Sequence, residues 1–285
     1  MRKPYPTDLS DAQWIRLRSY LPAPKAQGRP RTHSLREVLD AIFYVLKSGC
    51  HWRLLPHDFP PWATVYYHFR RFRLTGQWSL ILKAVRAAER KRAGKDPQPT
   101  AAVMDSQSVN TVEESAHPSG YDAHKNVKGR KRHLLVDTLG LPLSIYVTSA
   151  DVQDRAGAQC LLAGLTPFVP RLKKIWADGA YTGEKLAGWC KEQGGWELQI
   201  VERSSADTEG FAMLPHRWIV ERTLGWLMRN RRLSKDYERK VQSSETFIEV
   251  AMIRLILKRL AREVGTLPNR LSRMTFYRYL QETGD

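Results

Sequence analysis

Apolar and polar positions recur along the first 93 residues with the spacing of helices, and after residue 100 with the spacing of strands. Ser10 and Gln13 form a capping box, with Leu9 and Trp14 where a hydrophobic staple sits. Trp14, Leu17 and Leu21 mark a stripe that Pro22 and Pro24 end. A second box, Ser34 with Glu37, opens a stronger helix. Its apolar positions, Leu35, Val38, Leu39, Ile42, Phe43 and Leu46, fall three and four apart, and Gly49 closes it. Within FPPWATVYYHFRRFRLTG (residues 59–76), Pro60 and Pro61 suit the entry of a third helix and Gly76 its exit. A fourth helix runs from Trp78 to about Ala93 and leads into KRAGKDPQPT, a basic, proline-containing stretch that reads as a linker.

Beyond it the period shortens. Residues 101–109 (AAVMDSQSV) read as a strand, and 131–137 and 143–148 as two more, joined by the hairpin signal TLGLP. A helix over 154–165, a strand over 174–178, a helix over 183–193, a strand over 197–201 and a long helix over 215–229 follow. Three strands followed by alternating helices and strands predict an α/β fold, a mixed sheet flanked by helices. No internal repeat and no low-complexity tract is present, and the residues after Val264 carry no evident role. The expected division is a helical part over 1–94, a mixed-sheet part over 95–265 and a tail over 266–285.

Composition adds a partner class. At 42% hydrophobic residues the chain has the material for a core. Lys and Arg number 46 against 29 Asp and Glu, a net charge of +17, and residues 1–100 hold 19 of the basic residues and 7 of the acidic ones. A polyanion, most simply nucleic acid, is the natural partner. A merely soluble basic protein is the alternative. Cys50, Cys160 and Cys190 are too few and too scattered for a disulfide framework or a zinc knuckle, which suits a reducing compartment. No apolar run approaches about 18 residues, so no membrane span is expected, and MRKPYPTDLS lacks the apolar stretch of a signal peptide. The eight histidines do not cluster with cysteines at metal-ligand spacing; His133 and His216 read as accessory polar groups, structural more readily than functional.

The acidic residues supply candidate chemistry. Phosphodiester cleavage needs one or two divalent ions to polarise the phosphate, and magnesium prefers carboxylate oxygen. Asp105 interrupts an apolar strand, a poor place for an unpaired carboxylate, unless it faces water or an arginine. Asp178 ends the apolar strand of IWADGAYTG, where sites gather in open α/β sheets, although Asp-Gly is also an ordinary turn signal. Glu221 lies four residues after Arg217 on a helix whose buried face would carry Trp218, Leu224 and Met228, so a surface ion pair explains it equally well. Asp137, before the hairpin, and Asp151 and Asp154, placed to cap a helix, compete with these three.

Read as blocks, GCHWRLLP, FPPWATVYYHFRRF, VMDSQSV, GYDAHKNVKGRKRHLLVDTLGLPL, WADGAYTG and RWIVERTLGWLMRNRRLSKDYE resemble, in this order, bacterial insertion-sequence transposases of the DDE class, in the IS-five family. The resemblance runs from residue 5 to about residue 260. It implies a ribonuclease-H-like catalytic domain behind a helix-turn-helix-like DNA-binding domain, with Asp105, Asp178 and Glu221 as the catalytic, metal-holding triad. It further implies two Mg2+ or Mn2+ ions, double-stranded DNA (element ends and target) as partner, a homodimer or larger assembly on DNA, and a bacterial cytoplasmic, nucleoid-associated location. The triad is separated by 73 and then 43 residues, which leaves no room for a large inserted domain. In related families a basic residue follows the glutamate by seven positions. Met228 stands there, and the neighbouring Arg229 becomes the candidate phosphate contact.

Three basic segments complete the expected DNA surface. HKNVKGRKRH brings Lys125, Lys128, Arg130, Lys131 and Arg132 beside the first hairpin, with Gly129 open to close approach by a phosphate; a solvated charge run is the alternative. Arg222 and RNRRLSKDYERK, with Arg229, Arg231 and Arg232, flank Glu221. The helix over 61–74 offers Arg70, Arg71 and Arg73 for a groove, while its aromatic residues are equally at home in a core. The rival readings are a nuclease of the same fold, which would cut without joining, and a non-catalytic repressor descended from a transposase. An RNA-binding module lacks the aromatic signatures for single strands.

Overall fold

A computed structural model of the chain describes residues 2–23, 31–113, 118–201 and 217–262. Four helices lead: α1 (Asp11–Arg18), α2 (Leu35–Ser48), α3 (Trp62–Leu74) and α4 (Gln77–Arg92). Both predicted capping boxes form. Ser10 and Gln13 exchange side-chain and backbone hydrogen bonds at the start of α1, and Ser34 and Glu37 do so at α2. Gly49 ends α2 in the left-handed region at φ 75°, where a side chain would be strained.

Among the described residues six strands make one sheet: β1 (Ala101–Asn110), β2 (Gly120–Asp122), β3 (Val127–Asp137), β4 (Pro142–Ser149), β5 (Lys174–Ala177) and β6 (Glu197–Ile200). β2 and β4 share the outer edge of β3. β3 then pairs antiparallel with β1, and β1, β5 and β6 run parallel. The helices that accompany it are α5 (Asp154–Leu162), α6 (Glu184–Gly194), α7 (Arg217–Met228) and α8 (Val241–Leu260). None of the helices is long and apolar enough to cross a membrane, among the described residues.

Both faces of the sheet are covered, as its near-continuous apolar strands require. Ala102 and Met104 of β1 and Leu135 of β3 point to a core shared with α5 and α6. Their neighbours Val103, Leu134 and Val136 point to the other core, which holds α7, α8 and the four leading helices. α8 is the centre of this second core and touches α1, α2, α3, α4, α7 and β4. Phe247 of α8 stacks on Phe69 of α3 with ring centroids 4.7 Å apart. The stretch after α4 is tied down: Arg90 Nε donates to the Asp96 carbonyl at 2.7 Å, and the Asp96 carboxylate pairs with Arg171.

The charged residues of β3 depart most from the sequence reading. Arg130 and Asp236 form an ion pair at 3.0 Å with both side chains fully buried. Arg130 also donates to the Glu238 carbonyl at 2.7 Å, Arg132 to the Leu233 and Lys235 carbonyls at 2.8 and 3.2 Å, and Arg232 to the Glu238 carboxylate at 2.6 Å. The expectation that Arg130, Arg132 and Arg232 offer themselves to DNA is thereby corrected. These guanidiniums clamp residues 230–239 against the sheet, because a strand covered on both faces has no solvated side for them. Gly129 is likewise a packing glycine. A Cβ there would come within 2.1 Å of the Val109 carbonyl oxygen on β1, so no phosphate is needed to explain it.

Removing one partner of such a pair leaves a buried charge uncompensated. Asp236→Ala is therefore expected to destabilise the fold by about 3–5 kcal/mol, read from urea denaturation. A loss below about 1 kcal/mol, the range of exposed pairs, would show that water reaches Arg130.

Candidate active site

The parallel pairing of β1 with β5 sets the site. The β1–β5 pairing ends with Val103 opposite Trp176; Asp105 lies two residues beyond the first and Asp178 two beyond the second, just past the end of β5, and both line one cleft. Adjacent strands lie about 4.8 Å apart, which brings the two carboxylates onto neighbouring positions of one face. Asp105 accepts from its neighbour Ser106 N at 2.7 Å. Asp178 follows the last residue of β5, where it caps a short 3-10 turn (Gly179–Tyr181) and accepts from Ala180 N at 3.0 Å.

α7 packs across β1 and β3 on this same face. From its first turn Arg217 reaches Asp178 Oδ2 at 3.4 Å and Glu221 Oε1 at 3.5 Å. Sequence spacing had suggested the pair with Glu221; the second contact, across the sheet, has no sequence signal. One guanidinium thus links the second aspartate to the glutamate. Glu221 is exposed, Asp178 partly buried. Among the described residues no three His, Cys, Asp or Glu side chains stand close enough together to enclose a metal ion. The structure joins Asp105 to Asp178 by register, and Asp178 to Glu221 through Arg217.

A cleft of about 630 Å³ opens at the two aspartates. Its wall carries a second polar cluster that sequence reading missed. Lys131 Nζ lies 3.5 Å from Asp122 and 3.3 Å from Asp154, and Ser106 Oγ donates to Asp154 at 2.7 Å. Lys131 is thus engaged inside the protein rather than offered to DNA. Asp154 sits in the first turn of α5, not at its cap, which is Gln153. Tyr181 is buried at the base of the cleft.

The remaining expected DNA contacts divide by exposure. Lys125, Lys128, Arg70, Arg229 and Arg231 face solvent, and Arg71 and Arg73 are half-buried. Arg222 stacks between Trp218 and Trp226, 4.4 and 4.6 Å from the ring centres, and donates to the Leu139 carbonyl at 3.1 Å. Val65, Phe69 and Phe72 of α3 are core, whereas Tyr66 and Tyr67 are exposed. His133 is structural: it is buried, shares a hydrogen bond of 3.0 Å with Thr148 Oγ1, and burial pushes its pKa down to about 4, so it is neutral near pH 7. His216 and the tail over 266–285 lie outside the described residues.

Burial pushes the pKa of Asp105 up from 3.8 to about 6, and repulsion by Asp178 adds to the rise, against the backbone hydrogen bond from Ser106 and the charges of Lys125 and Arg217. Folding therefore takes up a proton between about pH 4 and 6. Asp105 is at its least costly in the acid half of that window, and stability is lost as pH rises through it. Asp105→Asn removes the penalty. The variant is expected to exceed the parent in stability by about 2–3 kcal/mol at pH 7.5, with the difference gone near pH 4, as measured by urea midpoints. A less stable variant at pH 7.5 would contradict this.

Comparison with known proteins identifies the family. The family model described as "Transposase DDE domain" matches residues 96–256, and that described as "Putative transposase of IS4/5 family" matches residues 9–100. The chain is similar to "Putative transposase for insertion sequence element IS402" of Burkholderia cepacia, with 27% identity over 129 residues. That alignment spans 43% of this chain and 60% of the relative. With more than half of its length matched by the DDE domain, this chain belongs to the insertion-sequence transposases of the DDE class.

Proposed function

We propose that the protein binds the terminal inverted repeats of an insertion sequence, cleaves the DNA backbone there with divalent metal and transfers the 3′ ends to target DNA. The observation that carries this reading is that Asp105 of β1 and Asp178, just past the end of the parallel neighbour β5, line one cleft, with Glu221 tied to Asp178 through Arg217. The sheet supports a ribonuclease-H-like fold: antiparallel strands on one side of β1, parallel strands on the other and helices on both faces. In this reading residues 1–94 form the end-binding part and residues 95–265 the catalytic part.

The donor set fits a hard divalent cation, because it consists of carboxylate oxygens. Asp178 raises the charging cost of Asp105, and a bound cation would offset that repulsion. Asp105, Asp178 and Glu221 would hold Mg2+ or Mn2+, as two ions. Such an ion supplies Lewis acidity toward a phosphate oxygen and lowers the pKa of an attacking water or 3′ hydroxyl. The chain's own residues do the rest. Asp105 must be ionised to ligate, so a proton on the metal-free carboxyl competes with the cation. Arg217, which contacts Asp178 and Glu221, would be free to contact the phosphate once those carboxylates hold an ion. Exposed Lys125 and Lys128 draw the backbone toward the cleft. Action on two element ends calls for at least a dimer on DNA.

Duplexes carrying the inverted repeats that flank the gene test this directly. With Mg2+ the protein is expected to nick them and join their 3′ ends to a second duplex. Asp105→Asn and Asp178→Asn should each lower cutting by about 10³-fold or more while binding stays within a few-fold. Cutting that persists in EDTA or in either variant would contradict the mechanism, and cutting without joining would identify a nuclease.

A further inference from the structure

Away from the catalytic cleft, a pocket of about 390 Å³ lies between the ends of α2 and α7 and the C-terminal half of α8. Lys47, Arg229, Arg254, Lys258, Arg259 and Arg262 line it, and no carboxylate does, among the described residues. Arg259 is held over the Trp226 ring at 4.3 Å and comes within 3.9 Å of Glu89. The other five have no carboxylate within salt-bridge distance among the described residues. Lys47 donates to the Arg229 carbonyl at 2.5 Å and Arg254 to the Pro6 carbonyl at 3.5 Å. Burial, and then repulsion by Arg254, Lys47 and Arg262, lowers the pKa of Lys258. Like charges gathered without an acid raise the free energy of the ligand-free protein, and an anion relieves it.

The geometry suits a chain of phosphates. Arg254 and Lys258 are four residues apart on α8 and so lie in one row, about 6 Å apart along the helix axis, and Arg262 follows just past the helix end. Glu221 and Gly225 of α7 and Arg229, the first residue past its end, are also four apart, and all three are exposed. One solvent-facing line thus leads from the catalytic glutamate to the cationic pocket, about 12 Å along α7. Gly225 keeps that line low: a Cβ there would meet nothing within 4 Å among the described residues. A mid-helix glycine weakens the helix, and no described neighbour requires this one.

We propose that this pocket is a second DNA-binding surface, which holds the phosphate backbone of the duplex segment that leaves the catalytic cleft along α7. The inference rests on the reading of the chain as a DNA-acting enzyme. The contacts are charge to phosphate and therefore independent of base sequence.

The test uses the full chain, a fluorescent random-sequence duplex of about 30 base pairs and EDTA, with anisotropy read across a salt series. Each neutralised phosphate contact contributes a slope of about 0.9 to log K against log salt. The triple variant Arg254→Gln/Lys258→Gln/Arg262→Gln should therefore lose close to three in slope, and bind about 10- to 100-fold more weakly at low salt. Lys173→Gln/Lys185→Gln/Lys191→Gln, which removes the same charge from exposed positions elsewhere, should lose less than one. If the triple variant melts early, the exposed pair Lys258→Gln/Arg262→Gln serves in its place, with an expected loss of about two. An unchanged slope in the cluster variants, or an equal loss in the control, overturns the proposal. Mg2+-dependent cutting is assayed on the same parent preparation; failure there counts against the catalytic reading and leaves the slope comparison intact.

Discussion

The buried pair of Arg130 and Asp236 links the sheet to everything that follows it in the chain. A sheet covered on both faces leaves charged residues on its strands no route to water, so each must find a partner inside. Arg130 finds Asp236, 106 residues further on, and Arg132 and Arg232 bind the same returning segment. This fixes residues 230–239 against β3, so that α7 must end and α8 begin on that face. It is the face that carries Asp105 and Asp178. Arg217 therefore reaches Asp178, with Glu221 beside it, because of a clamp that contains none of them.

The same constraint divides the positive charge into two populations. Arg130, Arg132 and Arg232 hold the fold, and basic side chains that face water, among them Lys258 and Arg262, are left for an external anion. A net charge of +17 does not separate the two, since it weighs Arg130 and Arg262 alike. The exposed population includes Lys125 at the cleft and, beyond α7, Lys258 and Arg262.

Much of this was legible in the sequence where a local signal existed. The capping boxes at Ser10 and Ser34 and the exit at Gly49 announced α1 and α2, and strand alternation announced β1, β4, β5 and β6 within a residue or two. Asp105 stood out as a charge inside an apolar strand, and Asp178 as a strand-end residue. Glu221 was distinguishable from a surface ion pair only through the motif around it. α8 was missed because a helix buried on nearly all sides has no polar stripe to give it a period. The burial of Arg130 and Arg132 was missed because their partners are far along the chain. The short β2 and the early start of β3 lie in charged sequence that reads as loop until its neighbours are known.

Asp105 is placed where burial and Asp178 oppose its charge, a cost that a folded chain tolerates when a cation relieves it. Whether such an ion bridges β1, β5 and α7 can be observed by loading the protein with Fe2+ and adding ascorbate and peroxide, which cut the polypeptide beside the bound ion. Backbone scission close to residues 105, 178 and 221, suppressed by excess Mg2+, is the expected pattern. Scission confined to other segments, or at 105 and 178 with none near 221, would contradict a metal centre built from these three carboxylates.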